Sequence, residues 1–85
     1  MSDTPERSLE DIRVGATIKA LREAHGLTRI ELGRAIGKSD KLIQKIEAGE
    51  RRATPEVCRS IVDTIGVPLA AITVRNYEQI RERVA

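Results

Sequence analysis

The sequence predicts a small all-α protein with one compact domain. Its apolar residues recur at steps of three and four, which is the spacing of one face of an α-helix. Glycines follow these stripes where helices would end. Forty per cent of the 85 residues are apolar, yet none is Phe or Trp, so the core is expected to consist of Ile, Leu, Val and Ala. This length is near the size at which a single core just suffices.

The first helix is predicted to begin near Leu9. Ser8 precedes Asp11 by three residues, which is the spacing of a weak capping box. An apolar stripe follows, made of Val14, Ile18 and Leu21. Gly26 predicts the end of the helix. Gly15 is a poor helix former near its start, and it argues against an unbroken helix from Leu9.

Two short helices at a sharp turn are predicted between Arg29 and Glu47. Leu32 and Ile36 are four residues apart and share one face. Gly37 is expected to end this second helix, because glycine takes the left-handed conformation without strain. Either Ser39 or Asp40 can cap the third helix.

The third helix is amphipathic, and its two sides differ sharply. One side carries Asp40, Lys41, Gln44, Lys45 and Ala48, and the other carries Leu42, Ile43 and Ile46. The polar side offers donors and acceptors that suit base edges and phosphates. An ordinary amphipathic surface helix would give the same pattern. The position of the helix in the chain therefore has to distinguish a DNA-reading helix from an ordinary surface helix.

A fourth and a fifth helix are predicted after a loop. Thr54-Pro55-Glu56 is a strong helix start, with a cap, a proline at the first position and an acid in the first turn. The inward face is predicted to be Val57, Ile61 and Ile65, flanked by Cys58 and Val62. Gly66 predicts the end of this helix. Val67-Pro68 then predicts a short fifth helix through Leu69 and Ile72.

The last twelve residues carry a narrow apolar stripe, Tyr77, Ile80 and Val84, with Asn76 as a candidate cap. Two readings of this stripe stay open. It closes the core by folding back on the first helix, or it pairs with its copy in a second subunit.

Charge and composition favour a binding protein. The net charge is only +2, but residues 38–52 carry five basic and three acidic side chains, while the two flanking segments are balanced. A charge run is usually a solvated face. A surplus of positive charge on the third helix and the loop after it favours binding of nucleic acid.

One Cys and one His leave no disulfide, metal cluster or assembled catalytic site to predict, so no cofactor is expected. Cys58 is expected to be a small buried hydrophobe and His25 a structural residue. No apolar run approaches the 18 residues typical of a membrane span, so a cytoplasmic protein is expected.

The stretch from Leu27 to Gly49 resembles the helix-turn-helix of the Cro/repressor (xenobiotic-response-element) family. The residues at that family's spacing are Leu27, Thr28, Arg29, Leu32, Gly33, Ile36, Gly37, Ser39, Ile43, Ile46, Glu47 and Gly49. The resemblance extends over residues 12–72. It implies a five-helix, lambda-repressor-like domain over residues 9–73, with a flexible tail at 1–8 and a C-terminal extension at 74–85. It also implies an ion pair between Arg22 and Glu47 that joins the first helix to the third.

The same resemblance assigns a DNA-binding surface. Base reading is expected from Lys41, Gln44 and Lys45, with Asp40 able to accept from a cytosine amino group. Phosphate contacts are expected mainly from Arg29, Lys38, Arg51 and Arg52, and Ser39 lies in the same surface. One short helix reads only a few base pairs, so a homodimer on double-stranded DNA is expected. The predicted dimer surface is the C-terminal stripe together with Leu69 and Ile72.

The sequence is compatible with three functions. The favoured one is a sequence-specific regulator of transcription, acting as a repressor at an operator. The alternative is a protein-interaction module, such as an antitoxin or adaptor, that binds a partner protein through Ile30 or the C-terminal stripe. An enzyme is the least favoured. Salt-dependent DNA binding would distinguish the first from the second.

Overall fold

The computed structural model describes residues 8–73, and within that range it contains five helices and no strand. These are α1 (Leu9–Ala24), α2 (Arg29–Ile36), α3 (Asp40–Glu47), α4 (Pro55–Ile65) and α5 (Ala70–Thr73). The five-helix, all-α prediction is confirmed. The predicted N-terminal tail up to residue 7 and the C-terminal stripe lie outside the described residues.

Each of the first four helices begins at a hydroxyl cap, whose oxygen accepts from the backbone N–H three residues later. Ser8, Thr28, Ser39 and Thr54 take this role, at distances of 2.9, 3.0, 3.1 and 3.2 Å. Of the two candidates for α3, Ser39 is therefore the cap. At α2 both hydrogen bonds of a capping box are present, because Thr28 N–H also donates to Glu31 Oε1 at 2.8 Å.

Left-handed glycines end α2 and α4 as predicted. Gly37 has a φ of 74° and Gly66 a φ of 91°. An L side chain is strained at these angles, so glycine fixes where each helix stops.

The core lies between the five helices and is aliphatic. Its fully buried members are Ile18, Leu32, Ile43, Ile46, Ile61 and Ile72, joined by Val57, Cys58 and Val62. Ile65 is only partly buried. Val57 and Ile61 are buried as predicted for the inward face of α4, but Cys58 and Val62, which were expected only to flank it, are buried more fully than Ile65.

The complete burial of Ile72 also corrects the predicted dimer surface. Ile72 packs with the core of its own chain, with none of its surface exposed, and Leu69 is partly buried beside it. Ile72 is therefore not available as predicted for a contact between subunits, whereas Leu69 keeps part of its surface exposed.

α1 is continuous, contrary to the expectation raised by Gly15. Gly15 is buried where α1 meets the end of α3. A Cβ atom at this position would lie 2.1 Å from the carbonyl oxygen of Ile46 and 3.0 Å from that of Glu47. The glycine is therefore a contact point between two backbones and does not break the helix.

Between residues 8 and 73, none of the helices is both long and apolar enough to cross a membrane.

Candidate nucleic-acid interface

The turn between α2 and α3 is tightly held by backbone contacts. The N–H of Lys38 donates to the carbonyl of Gly33 at 2.8 Å, and that of Gly37 donates to the carbonyl of Arg34 at 3.3 Å. A Cβ on Gly33 would lie 2.6 Å from Lys38 O, so the turn packs directly on α2. These contacts fix the direction in which α3 leaves the turn.

α3 buries one side completely and leaves the other open to solvent. Ile43 is 0% exposed and Ile46 is 2% exposed. All nine residues assigned to DNA contact are exposed: Arg29, Lys38, Ser39, Asp40, Lys41, Gln44, Lys45, Arg51 and Arg52. The polar face is therefore held in place by isoleucines beneath it.

Arg22 and Glu47 form the ion pair that the resemblance implied. Arg22 Nε donates to Glu47 Oε2 at 2.6 Å, and its second terminal nitrogen donates to Oε1 at 3.1 Å. The two side chains are 7% and 4% exposed. The remaining terminal nitrogen of Arg22 donates to the carbonyl of Leu27 at 2.7 Å. One guanidinium thus ties α1 to the segment before α2 and to the end of α3.

This pair also affects the net charge at the exposed face of α3. The hydrogen bond that Arg22 donates to Glu47 raises the pKa of Arg22, against the opposing effect of burial. Because Arg22 neutralises Glu47, the uncompensated charges at the exposed face of α3 are Asp40, Lys41 and Lys45. Their sum is positive, as contact with a polyanion requires.

The loop after α3 folds back on the end of that helix. The backbone N–H groups of Glu50 and Arg51 donate to the carbonyl of Lys45, at 2.9 and 3.3 Å. Gly49 is buried with a φ of 79°, and a Cβ there would lie 2.9 Å from Ile12 Cγ1. Arg51 is therefore held at the carboxyl end of α3, beside its exposed face.

The structure brings two of the residues predicted to contact DNA, Arg29 and Asp40, to one recess and places Arg52 at a different one. Arg29 and Asp40 line the same shallow recess, with Ile30 beside them. Arg52 instead lines a cavity of about 180 Å³ together with Glu10 and Asp11. Arg52 therefore faces a cavity that Glu10 and Asp11 also line, whereas the backbone of Arg51 is bonded to the end of α3.

Two structural features that position this site were missed from the sequence, the Thr28–Glu31 capping box and Gly15. The Thr28–Glu31 capping box was visible as a Thr-x-x-Glu spacing, and it sets where α2 begins. Gly15 gave no usable signal, because its role depends on a contact with Ile46, 31 positions further along the chain.

Cys58 and His25 are the two remaining side chains that could carry chemistry. Burial raises the pKa of the Cys58 thiol. His25 Nδ1 lies 2.9 Å from the carbonyl oxygen of Leu21, one turn earlier in the chain. In the part of the chain that the structure describes, no three His, Cys, Asp or Glu side chains are grouped so that they could hold a metal ion.

The fold and this surface define a helix-turn-helix DNA-binding protein. A helix-turn-helix family model of the Cro/C1 type matches residues 18–72, more than half of the chain. The chain therefore belongs to this family of DNA-binding transcription regulators.

Solved structures of another regulator share the fold. One structure of the clp gene regulator ClgR from Corynebacterium glutamicum is 24% identical, with a TM-score of 0.74 over 79% of this chain and 87% of that chain. A second ClgR structure is 20% identical, with a TM-score of 0.77 over 93% and 84% of the two chains. No curated protein sequence matches the chain significantly.

Proposed function

We propose that this protein reads an operator with α3 in the major groove and represses transcription by occupying that site. One observation carries the proposal. Lys41, Gln44 and Lys45 stand exposed on a helix whose opposite side is fully buried and whose end is clamped by an ion pair. A helix held this rigidly can present side chains to base edges in a fixed register.

The chemistry of the exposed side chains suggests a division of base contacts. Gln44 can bond adenine with its amide oxygen as acceptor and its amide nitrogen as donor, and Lys41 and Lys45 can donate to guanine. Asp40, in the first turn of α3, can accept from the amino group of cytosine. These roles are proposed for the bound complex.

Phosphate contacts are proposed for the residues around that face. Arg29 opens α2, Lys38 and Ser39 lie in the turn, and Arg51 is held at the end of α3. Arg52 remains a candidate, but it faces a cavity that Glu10 and Asp11 also line, and we propose a smaller contribution for it. Such contacts supply affinity and fix register, while base contacts supply specificity.

A two-fold homodimer on DNA is part of the same proposal. One helix of eight residues reads too few base pairs for specificity among the many competing sites of a genome. Two copies related by a dyad would bind half-sites about 10 base pairs apart on one side of the duplex. A binding protein of this kind acts where its DNA is, so we infer a cytoplasmic location and a role that involves no catalysis.

A second function, binding of a protein partner, is supported by Ile30. This side chain is 51% exposed near the start of α2. Ile30→Ser should leave DNA affinity unchanged if Ile30 serves a partner protein. A loss of DNA affinity in that variant would place Ile30 at the DNA surface instead.

Selection of bound sequences from a random duplex pool tests the proposed function. We expect a two-fold related consensus, and an affinity for it that falls steeply as the salt concentration rises. A pool that shows no enrichment after several rounds, with a protein that remains folded, would contradict sequence-specific reading. The protein-partner function would then become the leading account.

A further inference from the structure

Glu50 carries a negative charge just beyond the end of α3, beside the proposed DNA-binding surface, and it is exposed. Glu47, the last residue of α3, has its charge neutralised by Arg22. Glu50, by contrast, forms no ion pair within residues 8–73. Its charge is therefore open to solvent and to any molecule that binds this surface.

The backbone on both sides of Glu50 is fixed. The N–H of Gly49 donates to the carbonyl of Ile46 at 3.0 Å, and the N–H groups of Glu50 and Arg51 both donate to the carbonyl of Lys45. Gly49 is also buried, with a φ of 79°. The loop cannot leave α3 without breaking these hydrogen bonds, so Glu50 stays beside Arg51.

No contact within residues 8–73 explains a carboxylate at this position. The carbonyl end of a helix carries a partial negative charge, which disfavours a nearby anion. The acids Glu31 and Glu56 lie instead in the first turns of α2 and α4, where the helix dipole favours them. Glu50 is thus at the unfavourable end of its helix, and the fold does not depend on its charge.

We propose that Glu50 limits the affinity of this protein for double-stranded DNA by repelling the phosphate backbone. The inference rests on the proposed function, in which Arg51 contacts a phosphate. Consecutive Cα atoms are about 3.8 Å apart, and the N–H groups of Glu50 and Arg51 share one acceptor. A phosphate bound by Arg51 is then on the order of 10 Å from the carboxylate of Glu50, well within the Debye length of about 30 Å at 0.01 M salt.

Asp40 differs from Glu50 in what it meets on DNA. Asp40 lies in the first turn of α3 and can accept a hydrogen bond from a cytosine amino group in the groove. Phosphate oxygens are acceptors, so they offer Glu50 no hydrogen bond that would offset the repulsion. Phosphate attraction supplies nearly all of non-specific binding. The repulsion therefore weakens binding to every sequence and leaves tight binding dependent on the base contacts of α3.

Comparison of Glu50→Gln with Asp63→Asn tests the proposal. Both changes remove one negative charge, but Asp63 is exposed on α4, outside the proposed interface. The affinity of each variant is measured for the selected operator and for a random duplex of equal length, at about 0.01 M and about 0.15 M salt. We expect Glu50→Gln to bind both duplexes about two- to three-fold more tightly per subunit at the lower salt concentration, with a smaller gain at the higher one. Asp63→Asn should change both affinities less.

Equal gains in the two variants would reduce the effect to net charge and would overturn the proposal. Unchanged affinity in Glu50→Gln would overturn it as well. If the wild-type protein bound no duplex at all, the proposed function itself would be contradicted. Wild-type binding together with a failed comparison counts against Glu50 alone.

Glu50→Asp separates the charge of the side chain from its size. This variant keeps the carboxylate, so it should retain the wild-type affinity, and tightening equal to that of Glu50→Gln would overturn the proposal. Urea unfolding gives a second check, because the carboxylate makes no contact that supports the fold. The midpoint of Glu50→Gln should equal or exceed that of the wild type. A lower midpoint would show that Glu50 stabilises the domain and would contradict a role confined to DNA.

Discussion

Gly15 and Ile46 bring the backbones of α1 and α3 into direct contact. The space where a Cβ of residue 15 would stand is closed by the carbonyl oxygen of Ile46, 2.1 Å away. Because Ile46 lies in the last turn of α3, this contact fixes how deeply the proposed recognition helix sits against the domain. The missing side chain of Gly15 is thus part of what positions α3.

Gly15→Ala should destabilise the protein, although the same change in a helix with open space around it stabilises by about 0.5–1 kcal/mol. The added methyl group meets backbone, which cannot rotate away, and overpacking of this kind costs about 1–3 kcal/mol. Urea unfolding measures the difference. Lys19→Ala, an exposed change in the same helix, should move the midpoint little. A higher midpoint for Gly15→Ala would show that the two backbones are not in contact.

Breaking the Arg22–Glu47 pair should cost about 3–5 kcal/mol, because either partner alone would be a buried, uncompensated charge. Arg22→Ala is the sharper variant, since it also removes the hydrogen bond to Leu27 O. Arg22→Leu combined with Glu47→Leu should recover part of the loss, since no buried charge then remains.

The pair between Arg13 and Glu10 is a matched control for that experiment. It has the same separation of 2.6 Å, but its side chains are 26% and 54% exposed. Glu10→Ala should therefore change the free energy of unfolding by no more than about 1 kcal/mol. If breaking either pair lowered the free energy of unfolding by the same amount, burial would not be what makes the Arg22–Glu47 pair costly to break.

Cys58 should react slowly with alkylating reagents at neutral pH. Its burial limits access, and its raised pKa reduces the fraction of reactive thiolate. The folded state also holds this proton more tightly than the unfolded state. This difference in pKa contributes to the free energy of unfolding. The contribution is fully present below the unfolded pKa of about 8.5, and it is lost as pH rises through the folded pKa. Labelling with iodoacetamide, with and without urea, checks the reactivity. Equal rates in the two conditions would show that the thiol is accessible.

The elements of this fold were predictable because their signals are local. The capping residues, the glycines that end α2 and α4, and the isoleucines of α3 each act within a few positions. The inward face of α4 was less predictable. Val57, Ile61 and Ile65 follow steps of four, and each step drifts about 40° round a helix with 3.6 residues per turn. Ile65 therefore lies at the edge of the core and is only partly buried, while Cys58 and Val62 are buried within it.

The contact of Gly15 with α3 and the burial of Ile72 could not be read from the sequence. Both depend on elements that are distant in the chain and meet only in the folded protein. Within the candidate site, exposure of the polar face followed from the helical period. The separation of Arg51 from Arg52 did not, because it depends on how the loop folds back on Lys45.

Arg51→Ala should flatten the salt dependence of DNA binding more than Arg52→Ala does. Each lost phosphate contact lowers the log–log slope by about one unit and leaves base preference unchanged. The backbone anchor at Lys45 holds Arg51 beside α3, whereas Arg52 faces a cavity that Glu10 and Asp11 also line. Affinity titrations at several salt concentrations measure both slopes. A larger change for Arg52→Ala would reverse this assignment.

The base preference of α3 variants tests the central claim most directly. Random-pool selection is repeated with Gln44→Ala and Lys45→Ala, and Lys19→Ala serves as an exposed control outside the proposed interface. We predict that each α3 variant loses preference at particular base pairs, at a cost of about 1–3 kcal/mol for the contacted pair, and that Lys19→Ala selects the wild-type consensus. If both α3 variants kept the wild-type consensus with unchanged discrimination at every position, α3 would not be the reading helix.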